Sequence, residues 1–448
     1  MTLEAEAPAA VNRYRRSRQL FEEAQNYLPG GNSRLTVYHQ PHPIYLQEGR
    51  GCHLIDVDGN HYLDFINNYT SLIHGHIHPE IEKVVVEALR RGTAFAGTTE
   101  VEVRLAQLLT ERLPAVDQVR FTNSGSEAVM IAIKAARAYT GKPAIAKFEG
   151  AYHGSYDFAE VSQAASPSTW GEFANPVSVA YSKGTPEGVL NDVVVMPFNH
   201  IDETVALLRK HKDHLAAVLI DIMPSRLGLI AASPEFLQAL QAECRTLGIL
   251  IILDEVINLR LDYHGAQSVF GVDPDLTTMA KIIGGGFPIG AVGGKREVMA
   301  VFDPSGGKKP ALPHGGTFNA NPMSMTAGLK AMELMTPEEF DRLNGLGEKV
   351  RQSLREIIER LGVDWQVTGQ GSLFQLHAKT TPLTDYRSSL PSTVQAGKLA
   401  ALHRGLLDRG IFLGLPAFGC VSTAMTDNEV AILAEKVEDT LREIEGLN

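Results

Sequence analysis

Ile249-Leu250-Ile251-Ile252-Leu253-Asp254-Glu255-Val256 is the stretch on which the fold reading turns. Five apolar residues without polar alternation suit a strand buried on both faces, and an acid closes the run. Outward from it, similar short runs recur at Val119–Phe121, Ala144–Phe148, Val193–Met196 and Ala216–Ile220. They alternate with helical segments of ten or more residues, which predicts an α/β fold with a mostly parallel sheet sandwiched by helices. Ligands of such sheets gather at the carboxyl ends of the strands, so the polar residues after each run carry the functional information.

The 448 residues are enough for two or three domains, and the 44% hydrophobic fraction excludes wholesale disorder. Lys and Arg (41) against Asp and Glu (52) leave a charge of −11, which argues against a nucleic-acid-binding body. Cys52, Cys244 and Cys420 are far apart and form no CxxC pair, so a reducing, cytoplasmic setting is expected, without a disulfide framework or zinc site. No apolar run approaches the length needed to cross a bilayer, so no membrane partner is expected. Residues 1–10 read as a loose tail and 11–28 as a helix stopped by Pro29-Gly30-Gly31. Arg13, Arg15, Arg16 and Arg18 share that helix with Glu22 and Glu23, which favours a solvated face over a transit peptide. His53–Asp56 and His61–Phe65 flank Asp58-Gly59, a hairpin signal. Beyond about residue 325, helices near 326–335, 338–361, 393–409 and 426–446 surround short strands. The expected division is 1–79 as a segment contributing to a small α+β domain, 80–325 as the large domain and 326–448 as the small domain.

Three sites stand out at the sheet edge. Phe121-Thr122-Asn123-Ser124-Gly125-Ser126-Glu127 is a strand end, a small-residue turn and a helix start, which together offer free N–H groups to a phosphate or simply cap a helix. Asp254, at a desolvated strand end, needs a partner: a metal, an arginine such as Arg260, or a protonated ring nitrogen. Lys281 lies between apolar residues ahead of Gly284-Gly285-Gly286, where burial would make its amine a nucleophile; a snorkelling surface lysine is the alternative. Tyr152, also on the rim, can stack on a planar ligand, and Arg34 is a candidate carboxylate clamp. The glycines 284–294 lack the GxGxxG context of a dinucleotide site. His74, His76 and His78 have no supporting ligand at metal spacing and read as loop and capping residues.

Phosphate cradle, aromatic plate, buried acid and buried lysine are the four parts that pyridoxal phosphate requires. The motifs FTNSGSEA, Tyr152-His153-Gly154, LDEV at 253–256, DLTTMAKIIGGGFPIGAVGG at 275–294 and HGGTFNANP at 314–322 resemble those of the fold-type I, class III aminotransferases. Within the class, the chain looks like the branch holding glutamate-1-semialdehyde aminomutases and β-amino-acid aminotransferases, with PGGNSR at 29–34 leaning to the latter. The resemblance implies a pyridoxal 5′-phosphate enzyme that moves an amino group from an amino acid or amine to an oxo acid by a ping-pong mechanism, with an aminomutase as the alternative. It implies Lys281 as the Schiff-base lysine and proton shuttle, and Asp254 as the partner of the pyridine nitrogen. Tyr152 and Val256 would cover the two ring faces, and Gly125 and Ser126 would hold the phosphate. Thr317 would reach the phosphate of a neighbouring subunit, which implies a homodimer with composite sites, and Arg34 would bind a substrate carboxylate. Two departures stand out. Asp221-Ile222 replaces the usual Glu-Pro and is followed by Arg226, an unexpected side chain that would reshape the pocket or bind a second carboxylate. The loop 411–422 carries no basic residue, although some β-amino-acid aminotransferases place an arginine there.

Overall fold

The computed structural model describes residues 13–307 and 309–447; the tail expected at 1–10 lies outside them. The central element is a seven-stranded sheet in the order Gln118–Thr122, Gly290–Gly294, Leu276–Ala280, Leu250–Asp254, Leu215–Ile220, Ala144–Phe148, Val193–Met196. From Leu276–Ala280 to Val193–Met196 neighbouring strands run parallel, while Gly290–Gly294 is antiparallel to both of its neighbours. Side chains alternate between two cores, as a doubly covered sheet requires. Ile145, Leu219 and Ile252 join the core under the helix Gly125–Thr140. Ala146, Val218, Ile251 and Leu253 join the opposite one, with Phe236 and Leu240 of the helix Pro234–Leu247.

Two strands of this sheet, Leu276–Ala280 and Gly290–Gly294, were not among the expected runs. Glycine weakens a strand interior, and three of the five residues in Gly290–Gly294 are glycine. The reason is a close approach: a Cβ on Gly290 would stand 2.0 Å from the Ser124 carbonyl oxygen, at the entrance to the helix Gly125–Thr140.

The hairpin at Asp58-Gly59 forms, pairing His53–Asp56 with His61–Asp64. Its sheet is completed by Leu46–Arg50 and, in parallel, by Ile411–Phe412 from the far end of the chain. A three-stranded sheet (Gln366–Thr368, Leu373–His377, Phe418–Cys420) and the helices Pro337–Leu361, Thr393–Asp408 and Asp427–Glu445 form the remaining body. Reciprocal capping boxes at Ser392 and Thr426 start the last two helices. The helix expected over 11–28, of which residues 11–12 lie outside the described residues, runs over Arg15–Ala24 and ends earlier than expected because the chain breaks into turns before Pro29. Among the described residues, no helix is long and apolar enough to cross a membrane.

Candidate active site

The strand Gln118–Thr122 ends where the chain turns into the helix Gly125–Thr140. Ser124 caps that helix, its Oγ accepting from the Glu127 amide at 3.2 Å, and Glu127 reaches back to accept from the Asn123 amide at 2.5 Å. The first N–H groups of a helix have no intrahelical acceptor, so those of Gly125 and Ser126 remain for an anion at the positive end of the helix dipole. Both residues line a cleft of about 390 Å³ at the carboxyl edge of the sheet. A Cβ on Gly125 would press on Val256 at 3.1 Å and Ala280 at 3.3 Å, and one on Gly154 (φ +89°) would sit 2.4 Å from Ser126 Oγ. The cradle therefore depends on two missing side chains.

Asp254 is 4% exposed at the end of Leu250–Asp254 and faces the same cleft. Its Oδ2 accepts from His153 Nδ1 at 2.7 Å; its Oδ1 accepts from the Val256 amide at 3.0 Å and from Thr278 Oγ1 at 3.2 Å. Burial holds the His153 imidazole below its ordinary pKa, against the pull of Asp254. A neutral ring facing a carboxylate carries its proton on Nδ1, and His153 Nε2 is left buried without a partner. Arg260, one of the partners the sequence left open for Asp254, does not bond it. It is fully buried elsewhere, donating to Ser372 Oγ (2.8 Å), the Thr70 carbonyl (3.1 Å) and the Val421 carbonyl (2.6 Å). Asp221 is the second acid of the cleft wall, accepting from the Met223 amide at 2.9 Å and from Asn258 Nδ2. Burial, and then the nearby Asp254 charge, raise its pKa well above the carboxylate range.

Lys281 follows the strand Leu276–Ala280 in a left-handed backbone conformation (φ +52°). Its Nζ donates to the Tyr69 carbonyl at 2.6 Å. The side chain is partly open to the cleft, yet the protein packed around its amine pushes its pKa down from 10.5 to about 8. The snorkelling alternative is excluded by this placement beside Asp254, Tyr152 and Val256 in one cleft.

Tyr152 is 43% exposed on the rim, and the Arg226 guanidinium carbon stands 5.3 Å from its ring centre. Arg226 meets the cleft only through that ring and has no carboxylate partner among the described residues. Arg34 lines the cleft directly, donating to Asn68 Oδ1 at 3.0 Å. Thr317 is exposed in a separate groove formed by residues 94–99 and 314–322. That loop docks beside the cradle, with Asn123 Nδ2 donating to Asn319 Oδ1 at 2.8 Å and Arg120 Nε donating to His314 Nδ1 at 2.8 Å. His74 is held between Thr423 Oγ1 (2.9 Å) and the Ala331 carbonyl (2.8 Å), and His76 Nε2 pairs with Asp64 (2.7 Å). His78 caps the helix Pro79–Leu89. Among the described residues no cluster of three His, Cys, Asp or Glu could hold a metal.

Sequence reasoning missed the partners that shape these groups. His153 was visible only as the middle of Tyr152-His153-Gly154, and Thr278, Asn258 and the Tyr69 carbonyl gave no signal. Their roles come from contacts between segments far apart in the chain.

Residues 35–411 match the family described as Aminotransferase class-III. The chain belongs to this family. It is 36% identical over 436 residues to the glutamate-1-semialdehyde 2,1-aminomutase of Persephonella marina, covering 96% of this chain and 99% of that one. The crystal structure of an omega-transaminase from Sphaerobacter thermophilus is 55% identical, with a TM-score of 0.94 and 96% and 98% of the two chains covered. A β-phenylalanine aminotransferase from Variovorax paradoxus is 34% identical, with a TM-score of 0.87 and 98% and 96% covered. This class III aminotransferase is thus an enzyme of fold type I whose cofactor is pyridoxal 5′-phosphate and whose substrates are small amino and oxo compounds. The cleft fits that cofactor in its donor set: first-turn amides and glycines for a phosphate, a buried carboxylate for a ring nitrogen, and an amine of lowered pKa for an aldehyde.

Proposed function

We propose that this enzyme is a transaminase that moves an amino group from an amino acid, β-amino acids included, or an amine to an oxo acid in two alternating half-reactions. The observation that carries the reading is one cleft that gathers the Lys281 amine, the Asp254 carboxylate, the Gly125–Ser126 amides and Arg34. When bound, pyridoxal phosphate supplies an electrophilic carbon and an electron-withdrawing ring. Gly125 and Ser126 bind the phosphate through the helix N-terminus. Asp254, fixed by its three donors, would hold a proton on the ring nitrogen; His153 orients it. Tyr152 and Val256 cover the ring faces and exclude water. Lys281 receives the proton from the donor's amino-bearing carbon at Nζ and returns it on the other side of the transfer, a shuttle suited to an amine that titrates near pH 8. Arg34 binds the substrate carboxylate, and Arg226, without an acid partner and behind the Tyr152 ring, adds positive charge to that side of the cleft. Thr317 belongs to the cleft of a second subunit, so the working unit is a homodimer with composite sites.

The decisive experiment is a panel of α-amino acids, β-amino acids and simple amines, each offered with pyruvate and with 2-oxoglutarate. Formation of the new amino acid supports the reading. No transfer from any donor, or turnover that survives Lys281→Ala, refutes it. The 36% identity to an aminomutase favours a second reading, an isomerase that shifts an amino group within one molecule. Consumption of glutamate-1-semialdehyde without added oxo acid would select it.

A further inference from the structure

Asn67, Asn68, Tyr69 and Thr70 all lie in the left-handed region, with φ of 47°, 48°, 53° and 72°. Non-glycine residues visit that region singly; four in succession persist only where surrounding contacts impose them. Here they do. Asp64 Oδ1 accepts from the amides of Ile66 (3.0 Å) and Asn67 (2.8 Å), and its Oδ2 is held by His76 at 2.7 Å. Asn67 Nδ2 donates to the Cys420 carbonyl at 3.1 Å, and Arg260 donates to that of Thr70 at 3.1 Å.

The turn touches both ends of the reaction. The Tyr69 carbonyl accepts from Lys281 Nζ, while the Tyr69 ring lies 5.4 Å from the Arg34 guanidinium carbon. Asn68 donates through Nδ2 to Ser71 Oγ at 3.0 Å, which leaves its Oδ1 to accept from Arg34 Nη1 at 3.0 Å. Every contact that Arg34's guanidinium makes with this turn is neutral, and among the described residues it has no carboxylate partner. A guanidinium held in place without being neutralised keeps its full attraction for an incoming carboxylate.

We propose that Asn68 and Tyr69 are positioning residues that hold Arg34 at a set distance from the Lys281 amine, so that the preferred donors are amino acids rather than simple amines. The inference rests on the roles proposed above for Lys281 and Arg34, and it names the substrate class of that site. Asn68 is suited to the task because a short amide side chain tolerates the left-handed backbone and accepts from an arginine without adding charge.

The test uses the holoenzyme and two substitutions that both tolerate the observed backbone. Asn68→Asp places a permanent carboxylate on Arg34, and Asn68→Gly removes its holder. For Asn68→Asp, kcat/KM for amino-acid donors is expected to fall at least fivefold more than kcat/KM for simple amines, through KM rather than kcat. Asn68→Gly is expected to follow in the same direction with a smaller change. Calorimetric binding of 3-phenylpropanoate, a carboxylate with no amino group, should weaken in parallel. Equal losses for both donor classes, or unchanged KM for amino acids in both variants, overturn the proposal. Failure of the underlying reading looks different: cofactor absorbance absent from the parent enzyme, or turnover that survives Lys281→Ala.

Discussion

Lys281 loses its proton near pH 8 in the folded protein and near 10.5 once unfolded. Between those values the unfolded chain binds one more proton than the folded one, so stability contributed by this residue rises with pH across the window. Below pH 8 both states are protonated and the contribution is flat at its least favourable value. The 2.5-unit gap corresponds to about 3 kcal/mol. The same shift prepares the amine for chemistry: at pH 7.5 about a quarter of it is free base, against about one part in a thousand for an ordinary lysine. Lys281→Met removes the titration and keeps most of the volume. Urea unfolding of the cofactor-stripped protein should show the parent gaining about 3 kcal/mol relative to Lys281→Met between pH 8 and 10.5. The rate at which the stripped parent takes up pyridoxal phosphate should rise with pH and level off above 8. Parallel stability curves for the two proteins, or uptake still climbing steeply at pH 10, would refute the reasoning, because the amine would then be ionising as if in water.

Asp254→Asn removes the charge that His153, Val256 and Thr278 stabilise, and should lower turnover about a hundredfold or more in steady-state assays while raising the cofactor Kd. Gly154→Ala drives a Cβ to 2.4 Å from Ser126 Oγ at a positive φ; it should weaken cofactor binding, read by absorbance titration, and destabilise the fold by about 1–3 kcal/mol. Arg260→Met strands three acceptors in a buried site and should cost about 3–5 kcal/mol in denaturant unfolding, with Arg260→Lys recovering part of it. Thr317→Glu should repel the cofactor phosphate of a neighbouring subunit. If sites are composite, dimers refolded from a mixture with Lys281→Ala should regain up to about a quarter of the parent activity, which neither variant has alone.

Much of the sheet was legible because strands covered on both faces have no polar alternation: Ala144–Phe148 and Val193–Met196 were read to the residue. Gly290–Gly294 was not, since a strand kept thin for a neighbouring backbone carries none of the usual apolar or β-branched signal. At the candidate site, Asp254 and Tyr152 stood out because each follows a strand that the apolar runs had marked, whereas Lys281, after the unmarked strand Leu276–Ala280, stood out only as a lysine among apolar residues ahead of three glycines. Of the three partners the sequence left open for Asp254, Arg260 drops out, because the one-turn helix Asn258–Leu261 carries it away toward Ser372 and Val421.

The chain's own order determined the α/β alternation and the small-residue turn into a helix, because these depend on local periodicity and on residues a few positions apart. For Asp254 and Lys281 local pattern left alternatives open, and the resemblance of the motifs singled them out. Only the tertiary structure decided that Lys281 rests on the Tyr69 carbonyl, that His153 holds Asp254, and that a left-handed turn stands between Arg34 and the lysine. Those relations join segments hundreds of residues apart in one case and about a hundred in another. Their conformations are set by burial and by contacts across the cleft, which no local pattern encodes.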